Sequence, residues 1–157
     1  MVSPQTQPLD GEEEELWRAL AFVMTQLPRA LDADLQRQAQ MSVSDYGVLV
    51  HLSEADGGLG LSQLAQTINL SLSRVSRLVD AMVERGEVTK RTSGDDARCV
   101  LVEITPVGLK ALRAAYPTQL ANIRAAVFDH LGRDEIVAIK SGLAKIKAGL
   151  ERSSATS

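Results

Sequence analysis

The stretch LSQLAQTINLSLSRVSRLVDAMVERG, residues 61–86, leaves this chain few folds to choose from. Leu61, Leu64, Ala65 and Ile68 stand at i, i+3, i+4 and i+7, the apolar spacing of a short helix. Asn69-Leu70-Ser71 breaks it, and a longer amphipathic helix follows, with Gly86 where a C-terminal glycine stop belongs. Two runs of β character come next, Val88 to Arg91 and Cys99 to Ile104, joined by TSGDDAR. In the second, Val100, Val102 and Ile104 alternate with Cys99, Leu101 and Glu103, the period of a strand. The pattern predicts a helix-turn-helix followed directly by a hairpin.

Helical spacing governs the rest. Leu16, Leu20, Val23, Leu27, Leu31 and Leu35 share one face, with Pro28 expected either to bend this helix or to start a new one. A helix is expected over 44–54 with Ser44 as its N-cap, and the diglycine of EADGGLG marks a loop. Leu109, Leu112, Tyr116, Leu120, Ile123, Val127 and Leu131 continue the pattern with a kink at Pro117. Ile136, Ile139, Leu143, Ile146 and Leu150 form a stripe too long to cover itself, which predicts an oligomer or helix pairing. No apolar run approaches the roughly 18 to 20 residues that span a bilayer. The acidic N-terminus lacks the order of a secretory signal, and a single cysteine fits a reducing cytoplasm.

The net charge of −3 argues against a nucleic-acid partner only until its distribution is considered. Asp10 and Glu12 to Glu15 carry −5 and suit the first turn of a helix, which leaves +2 for residues 16–157. On the second helix of the pair, Leu72, Val75, Leu78, Val79 and Met82 cluster on one side, which must bury against the short helix. Ser73, Arg74, Arg77, Ala81 and Glu84 lie opposite. A helix packed this way and presented N-terminus first suits a major groove, where Arg74 and Arg77 reach guanine edges or phosphates. Ser71 reads as an N-cap near a phosphate, and Ser73 and Ser76 can donate to either target. Lys90, Arg91 and Arg98 complete the expected DNA-contacting set. The hairpin tip can reach a minor groove with Arg98, Asp96 holding the guanidinium in place and Asp95 shaping the turn. The other reading of the tip is an exposed Asp–Arg pair that contributes almost nothing. Residues 71–98 hold six basic and five acidic side chains, so any nucleic-acid site there arises from arrangement. That near-neutrality also leaves open a winged-helix module that docks on an acidic protein and binds no specific DNA.

These residues carry a family resemblance. The order LSQLAQTINLSLSRVSRLVDAMVERGEVTKR then DDARCVLVEITPVG resembles the MarR family of winged helix-turn-helix transcriptional regulators. Asp96, Arg98, Val102, Ile104, Thr105 and Gly108 meet the signature D-x-R-x-x-x-V-x-[LI]-T-x-x-G, and Gly86, Val88 and Arg91 meet GxVxxR. Glu87 departs from a position usually apolar in the family, and either weakens wing packing or points to solvent. Ile104 replaces the commoner leucine.

The resemblance implies a mainly α fold with a small β-hairpin wing. Residues 41–105 would form the DNA-binding domain, with dimerisation helices over 10–40 and 106–151, while residues 1–9 are expected to be disordered and the composition of residues 152–157 assigns them to a disordered tail. It also implies a homodimer on a pseudopalindromic operator of double-stranded DNA, most often as a repressor. In many members a small aromatic or anionic effector releases the DNA.

No catalytic or metal chemistry is expected. Two histidines and one cysteine, far apart in sequence, make no ligand cluster, and DGGLG lacks the lysine and spacing of a phosphate loop. Asp95 and Asp96, adjacent on a hairpin, point apart and have no base converging on them. His130 suits a helix C-terminus. Trp17, Tyr46 and His51 are candidates to line an effector pocket, with core or interface packing as the plainer reading. Cys99 beside Arg98 raises a redox switch as a further possibility. No cofactor is expected.

Overall fold

The computed structural model describes residues 7–93 and 96–154; the side chains of residues 92–99 lie outside that description. The chain divides into two units, residues 1–119 and 120–157, taken here one at a time.

The first unit begins with α1 (Gly11–Ala39). Asp10 caps it: its carboxylate accepts the Glu13 N–H at 2.8 Å, and Glu13 returns the bond to the Asp10 N–H at 3.0 Å. The acidic run therefore does serve a first turn, as its position predicted. Pro28 neither ends α1 nor opens a second helix. One hydrogen bond is lost there, but the apolar face continues past it to Leu35, which is fully buried and holds the second half in line.

Helix α2 (Val43–Glu54) starts earlier than expected. Ser42, not Ser44, is its N-cap, because Ser42 faces Asp45 three residues on and the two close a capping box. The Val43 N–H donates to Asp32 of α1 at 2.8 Å, which ties the two helices at that corner. The diglycine turn then delivers β1 (Leu59–Gly60), a strand of two residues that the sequence pattern did not announce. Helices α3 (Leu61–Thr67) and α4 (Leu72–Glu84) follow, then β2 (Val88–Ser93) and β3 (Asp96–Ile104). Gly86, at φ 71°, turns the chain out of α4 as the sequence anticipated.

The sheet is antiparallel in the order β1-β3-β2, with Leu59 opposite Val102 and Lys90 also opposite Val102 on the other side. Both hairpin strands run further than the alternation indicated. Asp96 and Arg98 thus belong to β3 rather than to the connecting loop, and the register shifts between Thr92 and Ser93. Backbone pairing extends through polar residues here because a hairpin needs no buried face to keep its ladder.

The core draws on every element of this unit. Leu35, Val48, Leu49, Leu52, Leu64, Val75, Val79, Met82, Val88 and Val102 are each at most 2% exposed, and Ala115 of α5 (Pro106–Ala126) joins them. Each large aliphatic side chain buried in this way stabilises the fold by about 1.5–3 kcal/mol.

The second unit comprises the end of α5, a 3-10 turn (Phe128–His130) and α6 (Arg133–Ser154). The helix expected to reach Leu131 stops at Ala126, so His130 ends a tight turn instead of an α-helix. In turn, α6 runs through residues 152–154, which the composition had assigned to a disordered tail. Of the stripe the spacing predicted, Ile139, Leu143, Ile146 and Leu150 stand exposed along α6 and Ile136 is half-buried; Val137, off that spacing, is exposed as well.

Candidate nucleic-acid interface

Helices α3 and α4 form the expected pair. Asn69 adopts a left-handed conformation (φ 54°), and the Leu70 N–H donates to the Ala65 carbonyl at 3.0 Å, which closes the turn tightly. Val75, Val79 and Met82 are buried against the rest of the unit, while Ser73, Arg74 and Arg77 are exposed and Ser76 is half-buried. Ser71 occupies the N-cap position, but its side chain does not cap. Its hydroxyl lies 3.3 Å from that of Ser73, and among the described residues no side chain caps the first-turn amides of α4.

The near-neutral local charge has a structural cause. Arg85 bonds both Asp45 of α2 and Glu87, each at 2.9 Å. Burial works against the Arg85 charge, but the two carboxylates outweigh it and hold its pKa above the usual arginine value. Of the two readings for Glu87, pointing to solvent is excluded: its carboxylate completes an ion triad with Arg85 and Asp45. Lys90 contacts Asp80 of α4. Arg91 donates to Glu103 across the hairpin at 2.7 Å and to the Gly57 carbonyl at 3.1 Å. Four acids thus hold three cations outside the exposed face of α4. Among the described residues, Arg74 and Arg77 have no carboxylate partner, and Arg77 makes only a long 3.4 Å bond to the Ser73 carbonyl. The side chains of Arg98, Asp96 and Cys99 lie outside the described residues.

One further feature was not legible in the sequence. An open cleft of about 830 Å³ runs beside α4, lined by Arg29 and Asp32 of α1, Ser42 and Val43 at the start of α2, and Arg74 and Arg77. None of Trp17, Tyr46 and His51 lines it. Trp17 stands 55% exposed on α1. Tyr46 and His51 are half-buried, but five residues apart on one helix they point about 140° away from each other. Burial, with nearby Tyr116 adding to it, pushes the Tyr46 phenol above its usual pKa. Among the described residues no group of three His, Cys, Asp or Glu side chains can hold a metal. No helix among them is long and apolar enough to cross a membrane.

Comparison with known proteins agrees with this geometry. A model described as the MarR family matches residues 39–98. Sco3205, a MarR family transcriptional regulator from Streptomyces coelicolor solved in complex with DNA, is 30% identical and superposes with a TM-score of 0.86. That match covers 94% of this chain and 93% of Sco3205. AbsC, a MarR family regulator from the same organism, is 28% identical with a TM-score of 0.84, over 93% of this chain and 99% of AbsC. The HTH-type transcriptional regulator YfiV of Bacillus subtilis is 28% identical over 143 residues, 91% of this chain and 88% of YfiV. With the helix pair, the three-stranded wing sheet and these relatives in agreement, the chain belongs to the MarR family: it is a DNA-binding transcriptional regulator, not an enzyme.

Proposed function

We propose that the chain works as a cytoplasmic homodimer and represses from a pseudopalindromic operator. Helix α4 enters the major groove of each half-site, and the β2–β3 wing lies along the minor groove with Arg98 at its tip, positioned by Asp96. The observation that carries this reading is the sorting of charge around α4. Neighbouring cations are held by acids, whereas Arg74 and Arg77 are exposed and, among the described residues, have no carboxylate against them. Ser71 and Ser73 flank first-turn amides that a DNA phosphate can use. The open apolar stripe of α6 and the exposed apolar residues of α1 support dimerisation through residues 10–40 and 106–151. Two copies related by a twofold axis would match half-sites one helical turn apart.

The cleft supports a route for release. A small anion, aromatic or otherwise, seated against Arg29, Arg74 and Arg77 would hold the same guanidinium groups that DNA requires. Effector and operator would then compete.

The decisive measurement is binding to the DNA beside the chain's own gene, or to an unbiased sequence pool, with nonspecific competitor present. A preferred sequence is expected, with a log–log salt slope of about −5 to −9 for six to ten phosphate contacts. If the pool yields no preferred sequence, the reading is wrong. A companion variant tests the sorting of charge. Asp80→Asn releases Lys90, and should raise affinity for any DNA by about threefold at moderate salt while base preference stays the same. Unchanged affinity in anisotropy titrations would show that the Lys90–Asp80 pair does not shield the site.

A further inference from the structure

Leu72 breaks the pattern of its helix. Helical spacing groups it with Val75, Val79 and Met82, and those three are fully buried. Leu72, one turn earlier, is 52% exposed. It is the first residue of α4, where the Cα–Cβ bond tilts toward the helix N-terminus, the end presented first to DNA. Its neighbours on that end are Ser71, Ser73 and Arg74, all exposed and polar. Among residues 71–77 it is the one exposed apolar side chain, whereas the exposed apolar residues of α1 and α6 recur along their helices. Such a side chain fits the major groove. Among the groups that the four base pairs display there, the C5-methyl of thymine is the apolar one.

We propose that Leu72 is a specificity-determining residue that reads a thymine methyl in each half-site. This rests on α4 entering the major groove, and adds to it a contact that neither arginine supplies. Burying one methyl against a leucine should alter affinity about fourfold, or about fifteenfold for a dimer that loses the contact in both half-sites.

The experiment takes the sequence recovered by unbiased selection and replaces its thymines by deoxyuridine, one symmetric pair at a time. Deoxyuridine removes the methyl and leaves every hydrogen-bonding group. Wild-type protein should lose about fifteenfold in affinity at one pair, and Leu72→Ala should bind the thymine and deoxyuridine operators equally. A merely structural role for Leu72 would lower affinity for both operators alike and leave the methyl effect in place. That result overturns the proposal. So does specific binding with no sensitive thymine pair. Failure to recover any preferred sequence is a different result, and removes the groove reading together with this one.

Discussion

Gly108→Ala should destabilise the protein by more than about 3 kcal/mol and lower its melting temperature by about 6–12 °C, measured at fixed protein concentration. A Cβ at this position would sit 2.2 Å from the Glu87 carbonyl oxygen and 2.9 Å from Ile104 Cγ1. The carbonyl cannot retreat freely, because Thr105 holds it with its N–H at 3.0 Å and its hydroxyl at 3.0 Å. The same hydroxyl lies 2.7 Å from the Gly86 carbonyl and accepts the Gly108 N–H at 3.1 Å. Thr105 and Gly108 together therefore clamp the start of α5 to the two residues that follow the C-cap of α4. The clamp explains in physical terms why T-x-x-G stands where it does in the sequence. Thr105→Val, which leaves the carbonyl of Gly86 and the N–H of Gly108 without this partner, should cost about 1–3 kcal/mol, while Thr105→Ser should cost less. The loosened variants should also bind DNA less well, since the clamp fixes the exit of the recognition helix. A Gly108→Ala protein that melts within two degrees of the parent would show that the backbone there yields, contrary to this account.

The helix pair, the wing and the terminal helices were legible because each repeats one period over enough residues to be distinguished from another. Strand β1 was not: two residues carry no period, and only its pairing with β3 defines it. Lys90 and Arg91 read as free cations because their partners come from elsewhere in the fold. Asp80 lies on α4, and Glu103 reaches Arg91 only through the hairpin register. Leu72 obeys the helical period yet escapes burial, since a helix end can project past the elements that cover its middle. By contrast, the Ser42 cap was available: Ser42-x-x-Asp45 is a capping-box spacing, and Ser44 has Gly47 three residues on. The cleft at Arg29 is purely tertiary. It brings together residues of α1, α2 and α4 that no local pattern connects.

Arg77→Ala should produce the largest loss of operator affinity among single substitutions on α4, about 30-fold to about 25,000-fold for the dimer. Arg77 is exposed on α4 and among the described residues makes only the 3.4 Å bond to the Ser73 carbonyl, so little holds the guanidinium back from a base edge. A bidentate contact to guanine contributes about 1–3 kcal/mol of discrimination, and a twofold operator loses two such contacts at once. Nonspecific DNA, which offers only phosphates, should lose far less, so the ratio of specific to nonspecific affinity collapses. Arg77→Lys separates charge from geometry. It keeps the cation but not the planar fork, so nonspecific binding and salt slope should stay near the parent while base preference is lost. Arg91→Ala provides the opposite control. Its guanidinium is already committed to Glu103 and the Gly57 carbonyl, so that substitution should alter operator affinity by less than about tenfold. Competitive anisotropy titrations on the preferred operator and a scrambled duplex distinguish the cases. Equal losses on both duplexes for Arg77→Ala would mean that Arg77 meets phosphate, and that base reading belongs to other side chains on α4, with Arg74 and Leu72 next to be tested.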